Sequence, residues 1–333
     1  MDGSSNSDRA AGPQLRIGSF ADPAGELASL TGIIQGPDGC MWFASPGTDR
    51  VGRLDPTTGV IRTFLDPAGE LRGPANLFPG ADGRIWFTCP GADRIGRIDP
   101  SAADPQATLT AVSAPGIANP VAIKSAADGR IWVSLRAASA LASIDPFADD
   151  PGGSVRVITH PSLDLPAAIF PAADGRLWFT TTGRPGIGSL DPLDSDPGRS
   201  IRMFAPPGEP ALRAWAMDDS GRLWLTTRNP GGIARFHPAD PAGTWRHFTG
   251  PAFDAPDGNT LGPDGAIWLV DTGRNALLRV DPESGTVEDH HSPSIAARST
   301  SNRVRAPRSG SPTGVRPPSG DWSSSPDRDH PVG

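Results

Sequence analysis

Two aspartates near the end of the repetitive part of the chain carry its strongest chemical signal. Asp257 and Asp271 lie fourteen residues apart on adjacent predicted strands of one repeat, so their carboxylates can face each other. Such a pair can hold a hard cation through oxygen, or act as an acid and a base if their pKa values are split. Both can instead cap turns in solvent, and this alternative stays open. The pair is the predicted metal site.

Other residues with reactive side chains give weaker signals. Arg213 can neutralise a substrate carboxylate or pair with an acidic neighbour. Cys89 is not expected to be a nucleophile, because no His stands at a matching position in its own or a neighbouring repeat. His290 and His291 are adjacent, and neighbours on a strand point to opposite faces, so a shared metal is not expected there. No residue is assigned as catalytic.

These residues sit within a sixfold repeat that is marked by tryptophan. An Asp-Gly or Ser-Gly pair precedes each Trp, and an apolar run ending in Asp-Pro or His-Pro follows it. Successive Trp residues are separated by 44, 46, 46, 46 and 44 residues. The six are Trp42, Trp86, Trp132, Trp178, Trp224 and Trp268. A period of this length is typical of solenoids, propellers and arrays.

Each repeat reads as four short strands. In the second copy we expect strands at Val60–Phe64, Pro74–Phe78, Asp82–Thr88 and Arg94–Pro100, because they are β-rich and bounded by Gly, Pro or Asp. No stretch shows sustained helical spacing of apolar residues. Four strands in about 45 residues predict an all-β fold, a β-propeller of four-stranded blades. The Asp of each Asp-Pro pair is expected to cap a turn, and His237 takes that position in the fifth copy.

The number of blades stays open. Leu15–Phe20 resembles Val60–Phe64, so the N-terminal run is expected to supply the opening strand of the first blade. Gly285–His291 resembles the opening strand of a seventh copy, but no seventh Trp strand follows. Either six blades close with a spare strand, or a seventh blade is missing and the C-terminal segment is a truncated or frameshifted remnant.

Composition divides the chain into three parts. Residues 15–291 form the predicted propeller, and residues 1–14 form a predicted disordered N-terminus. Residues 292–333 are rich in Ser, Pro, Arg and Gly, carry six Arg and three Asp, and are predicted to be disordered. Lys124 is the only lysine and Tyr is absent, which we interpret as the coding bias of a GC-rich, bacterial genome.

Charge and hydropathy exclude several classes of function. The net charge of −7 argues against binding of nucleic-acid phosphates. No run of apolar residues is long enough for a membrane span, and residues 1–14 have no apolar core for a signal peptide. Two cysteines are too few for a disulfide scaffold. A cytoplasmic monomer is therefore the expectation.

The repeats resemble the blades of streptogramin B lyases (the virginiamycin B lyase family). The resemblance rests on Gly83–Thr88 followed by Arg94–Ile98, and on Leu177–Thr180 with Ile187–Leu190, and it covers roughly residues 15–291. It implies a seven-bladed propeller that opens a cyclic depsipeptide antibiotic by elimination, with a bound metal, usually Mg²⁺. Antibiotic resistance and a small-molecule or cyclic-peptide ligand follow from the same resemblance, and the alternative is a non-catalytic propeller that binds a small ligand or a protein at its channel mouth.

The resemblance also implies positions for the reactive groups, relative to each blade Trp. The catalytic His is expected eleven residues before a late Trp, where this chain has Thr31, Ala75, Val121, Ala167, Arg213 and Asp257. An acidic group is expected three residues after a Trp, where this chain has Ser45, Cys89, Leu135, Thr181, Thr227 and Asp271. None of these is His. The candidate channel or substrate residues are therefore Arg213, Thr227, Thr31 and Ser45, with Asp257 and Asp271 as metal ligands.

Overall fold

Residues 18–291 form six four-stranded antiparallel blades arranged in a ring. The computed structural model describes residues 18–291 and the backbone of Gly320–Asp321. Within each blade, consecutive strands pair in chain order from the axis outward. The fold is therefore a β-propeller, as the repeat predicted, and the predicted disorder of residues 1–14 and 292–333 falls outside the described residues apart from that short backbone segment.

The first three blades have these strands. Blade 1 contains β1 (Thr31–Gln35), β2 (Met41–Ser45), β3 (Arg50–Leu54) and β4 (Ile61–Leu65). Blade 2 contains β5 (Leu77–Pro79), β6 (Ile85–Cys89), β7 (Arg94–Ile98) and β8 (Thr110–Val112). Blade 3 contains β9 (Pro120–Ser125), β10 (Ile131–Leu135), β11 (Ala140–Ile144) and β12 (Arg156–Thr159).

The last three blades follow the same plan. Blade 4 contains β13 (Pro166–Pro171), β14 (Leu177–Thr181), β15 (Gly186–Leu190) and β16 (Arg202–Phe204). Blade 5 contains β17 (Ala211–Met217), β18 (Leu223–Arg228), β19 (Gly232–Phe236) and β20 (Arg246–Thr249). Blade 6 contains β21 (Pro256–Leu261), β22 (Ile267–Asp271), β23 (Ala276–Val280) and β24 (Val287–His291).

Little helix accompanies these strands. The helices within the described residues are an α-helical turn, α1 (Pro241–Thr244), and three short 3₁₀ turns at Pro46–Thr48, Pro105–Thr108 and Pro197–Ser200. Each begins with Pro, whose missing N–H and fixed φ suit the first helical position. In this part of the chain no helix is long and apolar enough to cross a membrane.

The blade boundaries differ from the sequence prediction by one strand. The predicted opening strand Val60–Phe64 corresponds to β4, which pairs with β3 and is the outermost strand of blade 1. The predicted spare strand Gly285–His291 contains β24, which pairs with β23 inside blade 6. Residues 18–20 of the expected N-terminal strand are not in a strand. The prediction was wrong because a period fixes the repeat length, whereas cross-strand pairing decides where each repeat begins.

A hydrogen bond explains why an Asp-Gly pair precedes the Trp in most repeats. In five blades the indole N–H donates to the Asp four residues earlier, with Nε1–Oδ1 distances from 2.9 to 3.4 Å. In blade 5, where Ser220 replaces that Asp, Trp224 donates to Asp218 at 2.8 Å instead. The bond satisfies the polar edge of a ring that is otherwise buried between blades. The Trp residues are therefore structural.

The Gly of the third strand is required by close packing. In β7, Gly96 lies under the Phe87 ring, and a Cβ placed on it would stand 2.1 Å from that ring. Gly188 of β15 has the same relation to Phe179. Any side chain at these positions would displace an aromatic ring from the core, which explains the apolar-Gly phrase after several of the Trp strands.

Apolar side chains join successive blades into a continuous core. We call the face of a blade that carries its Trp the front face and the opposite face the back face. The front face of blade 2, with Trp86 and Ile95, packs on the back face of blade 3, with Ile131 and Val133. Equivalent clusters join blades 1 and 2, 3 and 4, 4 and 5, and 5 and 6.

Candidate functional site

The candidate residues all belong to one end of the propeller. Thr31, Arg213 and Asp257 lie within the first three residues of an inner strand. Ser45, Thr227 and Asp271 lie within the last two residues of the neighbouring second strand. Because these strands are antiparallel, the start of one and the end of the other meet at the same edge of the sheet. We call this edge the entry end. Cross-strand pairs such as Leu212 with Thr227 and Pro256 with Asp271 confirm the arrangement.

Asp271 is a buried carboxylate that organises a loop. It is fully buried, and its two oxygens accept the backbone N–H groups of Asp254 at 2.8 Å, Ala255 at 3.0 Å and Arg274 at 3.1 Å. Backbone amides in a buried position need an acceptor, and the Asp271 side chain supplies it. The residue therefore fixes the loop that precedes β21 and the turn that follows β22.

Asp257 has a different partner. Arg228, the last residue of β18, places Nη2 3.3 Å from Asp257 Oδ2, and the carboxylate is almost fully buried. This ion pair joins blade 5 to blade 6 at the entry end. The strand partner of Asp271 is Pro256, and a register shift follows between Pro256 and Asn259. The two carboxylates thus have separate partners.

This arrangement does not fit a shared magnesium site. Mg²⁺ requires near-octahedral oxygen ligation, whereas the oxygens of Asp271 are held by three amide donors and Asp257 is held by a guanidinium. Within residues 18–291, no group of three or more His, Cys, Asp or Glu side chains is placed to hold a metal ion.

Three hydroxyl candidates are engaged in the scaffold. Ser45 is fully buried, accepts the N–H of Ala28 at 2.8 Å and lies 2.9 Å from the carbonyl oxygen of Ala28. Thr31 donates to the carbonyl of Ala75 at 3.0 Å and so ties blade 1 to blade 2. The remaining candidate, Thr227, lies in a small buried network.

Thr227 contacts a histidine that the sequence did not single out for chemistry. Its Oγ1 lies 3.1 Å from the carbonyl oxygen of Pro230 and 2.8 Å from Nε2 of His247 on β20. If the Thr227 hydroxyl donates to the carbonyl of Pro230, then Nε2 of His247 must donate to the hydroxyl oxygen. Burial lowers the pKa of His247, so the neutral ring is favoured. Thr227 is fully buried, and its contact with His247 joins β18 to β20.

Arg213 is the one candidate among these that is half-exposed and charged. It stands in β17, next to Leu212, which pairs with Thr227, and near Ala211, which pairs with Arg228. Asp257 occupies the equivalent position in the next blade. The entry end therefore carries two arginines and a carboxylate at the junction of blades 5 and 6, whereas the same positions of blades 3 and 4 hold Val121 and Ala167.

The remaining polar residues that the sequence marked have structural roles. The Asp of each Asp-Pro pair caps the turn that follows; Asp55, for example, accepts the N–H groups of Thr57 and Thr58, and these bonds lower its pKa. In the fifth repeat His237 does the same through Nδ1, which accepts the N–H of Ala239. Burial raises the pKa of the Cys89 thiol, which opposes a nucleophilic role.

Sequence reasoning missed Arg228 and His247. Arg228 is not part of the repeated phrase, and its pairing with Asp257 depends on how blades 5 and 6 approach each other. By contrast, the sequence contains a signal for the hydrogen bond between each Trp and the aspartate of its Asp-Gly pair, because this Asp stands four residues before the Trp in five repeats.

Comparison with known proteins places this fold in a class. Residues 17–162, somewhat under half of the chain, match the model of the virginiamycin B lyase family. A streptogramin B lyase structure superposes with a TM-score of 0.67 at 22% identity, covering 80% of this chain and 83% of that one. No curated protein matches the chain by sequence.

Two further structures define how far the similarity extends. A catalytically inactive variant of virginiamycin B lyase from Staphylococcus aureus, solved with quinupristin, has a TM-score of 0.67 at 22% identity and covers 80% of this chain and 84% of that one. A putative 6-phosphogluconolactonase from Bacteroides uniformis has a TM-score of 0.60 at 15% identity, covering 78% and 83%. The protein is a β-propeller. More particularly, its fold is similar to that of the virginiamycin B lyase structures.

Proposed function

We propose that this propeller binds a small cyclic-peptide ligand at its entry end and does not open it by metal-assisted elimination. The observation that carries the proposal is the separate engagement of Asp257 and Asp271, one by Arg228 and the other by three backbone amides. The predicted metal ligands are thereby part of the scaffold, and the positions expected for a catalytic His hold other residues. Binding requires neither group.

Arg213 is the proposed anchor for the ligand. A guanidinium offers several donors in a fixed fork, which suits carboxylate or carbonyl oxygens of a peptide ring. The equivalent positions of the two preceding blades, Val121 and Ala167, are apolar and suit an apolar part of the same ligand. A structure similar to this chain was solved with quinupristin, and a type B streptogramin is therefore the first ligand to test.

We expect that Arg213→Gln weakens binding of a type B streptogramin by about ten- to a hundredfold, the loss of one charge-assisted hydrogen bond. Isothermal titration of the full chain measures this. The matched control is Arg199→Gln, which changes an exposed arginine that pairs with Asp196 away from the entry end. Equal affinities for the Arg213 and Arg199 variants would remove Arg213 from the site, and absence of binding by the unchanged protein would refute the ligand class.

The second candidate function is the lyase reaction itself. The match of residues 17–162 to the virginiamycin B lyase family favours it. It would require a base and a charge-stabilising group that differ from those implied by the resemblance. Mass spectrometry of the antibiotic after incubation distinguishes the two candidates, because elimination opens its ring and binding leaves it intact.

A further inference from the structure

A cavity of about 400 Å³ lies beside β4, the outermost strand of blade 1. Its lining includes Asp22 and Glu26 of the loop before β1, Ile61 and Thr63 of β4, and Gln106 of the 3₁₀ turn before β8. Because β4 is the last strand of its sheet, one of its two edges has no neighbouring strand. The cavity thus combines an open sheet edge with two carboxylates, and it is separate from the inner strands of the entry end.

The hydrogen bonds of β4 show which of its backbone groups face outward. The carbonyl of Val60 accepts the N–H of Asp55 at 3.0 Å, so the polar groups of Val60 are directed toward β3. Backbone groups alternate in direction along an antiparallel strand. The N–H and carbonyl groups of Ile61, Thr63 and Leu65 therefore point away from β3. Among the described residues, the backbone of Ile61 and Thr63 has no hydrogen-bond partner on this outer side.

Gln106 shows that an amide group fits this edge. Its Nε2 donates to the carbonyl of Leu65 at 2.7 Å, and its Oε1 accepts the N–H of Leu65 at 3.2 Å. A residue of an added strand makes the same pair of bonds with an edge residue. The equivalent residues of the next two blades, Gly152 and Gly198, have no side chain and offer no such amide. The side chain of Gln106 thus takes the place of a peptide group at one end of the edge.

An accessible carboxylate lies on the face of β4 that carries Thr63. The hydroxyl of Thr63 donates to Glu26, whose side chain is 40% exposed. The ion pair of Glu26 with Arg50 is long, at 3.5 Å, and Asp22 adds a second carboxylate to the lining of the cavity. A Lys or Arg side chain that approaches along this face therefore meets a carboxylate that is open to solvent.

An apolar side chain lies on the same face. Leu65 stands two residues after Thr63, so the two side chains share one face of the strand, and Leu65 is 38% exposed. Arg62 projects from the opposite face, because neighbouring residues of a strand alternate. A chain that pairs with β4 places the side chain opposite Thr63 beside Glu26, and the side chain two positions away beside Leu65.

We propose that the outer edge of β4 binds an extended peptide segment of another protein, which adds as a fifth strand to blade 1 and places a Lys or Arg side chain against Glu26. In strand addition, main-chain hydrogen bonds supply affinity and alternate side chains supply specificity. The outward groups of Ile61 and Thr63 provide the first, and Glu26 with Leu65 provides the second.

The surroundings of the edge favour a short peptide over a second copy of this chain. The loop that carries Asp22 and Glu26 borders the cavity on one side, and Gln106 borders it on another. Pairing of β4 with β4 of a second copy would bring two such loops and two copies of Gln106 into the same space. A single extended segment has neither.

Selection from a phage-displayed library of random linear heptapeptides on the full-length protein tests the proposal. We expect enriched peptides to carry Lys or Arg with an apolar residue two positions away. Their affinity, measured by fluorescence polarisation, should fall about tenfold in Ile61→Pro, because proline at the first residue of β4 removes an outward N–H and no bond to β3. The matched control is Ile61→Val, which keeps that N–H and should bind like the unchanged protein.

A second variant tests the carboxylate without altering the strand. Glu26→Gln should weaken an enriched peptide about tenfold, the loss of one charge-assisted hydrogen bond. Glu70→Gln, at the equivalent position of the next repeat, should leave the affinity unchanged. Thermal unfolding establishes that Ile61→Pro is folded, and Glu26→Gln against Glu70→Gln decides the test if it is not.

Three results would overturn the proposal. The first is failure of any peptide to enrich. The second is equal affinity of the enriched peptides for the test variants and their matched controls. The third is a dimer of the unchanged protein, seen by light scattering, that Ile61→Pro converts to a monomer, because it would assign the edge to a second copy.

Discussion

Replacing Trp132 with alanine is expected to lower the free energy of unfolding by about 4 kcal/mol. Trp132 is 1% exposed and lies in the cluster that joins blades 3 and 4. Its Nε1 donates to both oxygens of Asp128 at 3.1 Å. The substitution therefore opens a cavity between two blades and leaves the Asp128 carboxylate without this donor, and both effects add to the cost.

Equilibrium urea unfolding followed by circular dichroism measures this cost. Trp132→Phe separates the two effects, because it retains an aromatic ring and removes the indole N–H, and we expect it to cost about 1–2 kcal/mol. The control is Phe147→Ala, which truncates an aromatic residue that is 68% exposed. A Trp132→Ala variant as stable as the Phe147→Ala variant would refute the structural role of the repeated tryptophans.

Changing Asp271 to alanine is expected to cost about 3 kcal/mol of stability, independently of magnesium. The variant leaves the N–H groups of Asp254, Ala255 and Arg274 without their acceptor in a buried position. If Asp271 instead served a metal, Mg²⁺ would raise the melting temperature of the unchanged protein and this shift would vanish in Asp271→Asn. Thermal unfolding with magnesium and with EDTA measures both.

The repeat itself offers the control for this prediction. Thr181 occupies the corresponding position in blade 4, where its hydroxyl donates to the carbonyl of Arg184 at 2.7 Å. Asp271→Thr is therefore expected to be milder than Asp271→Ala, since it restores a polar group of a kind that the fold already accepts there. An equal cost for the two variants would mean that a hydroxyl cannot replace the carboxylate as the acceptor of these amides.

The sequence was sufficient for the fold class and insufficient for the blade boundaries. The spacing of the Trp residues and the four strand signals per period define a propeller. The same signals recur cyclically, so Val60–Phe64 and Gly285–His291 can be assigned to either of two successive blades. Only the pairing of β3 with β4 and of β23 with β24 determines the assignment.

The candidate site was predictable in location but not in its contacts. Offsets from the Trp brought Arg213, Asp257 and Asp271 to one end of the ring, where the structure also places them. Their partners depend on loops and on neighbouring blades: Arg228 reaches Asp257 across a blade junction, and three amides from two loops converge on Asp271. Sequence periodicity contains no information on such contacts.

The most direct test of the central claim is incubation of the full-length protein with a type B streptogramin, with and without Mg²⁺, followed by mass spectrometry and a binding titration. We predict that the antibiotic is bound and recovered intact under both conditions. A ring-opened product of unchanged mass that forms only with Mg²⁺ would contradict this account, because it would show that metal-assisted elimination proceeds at this entry end.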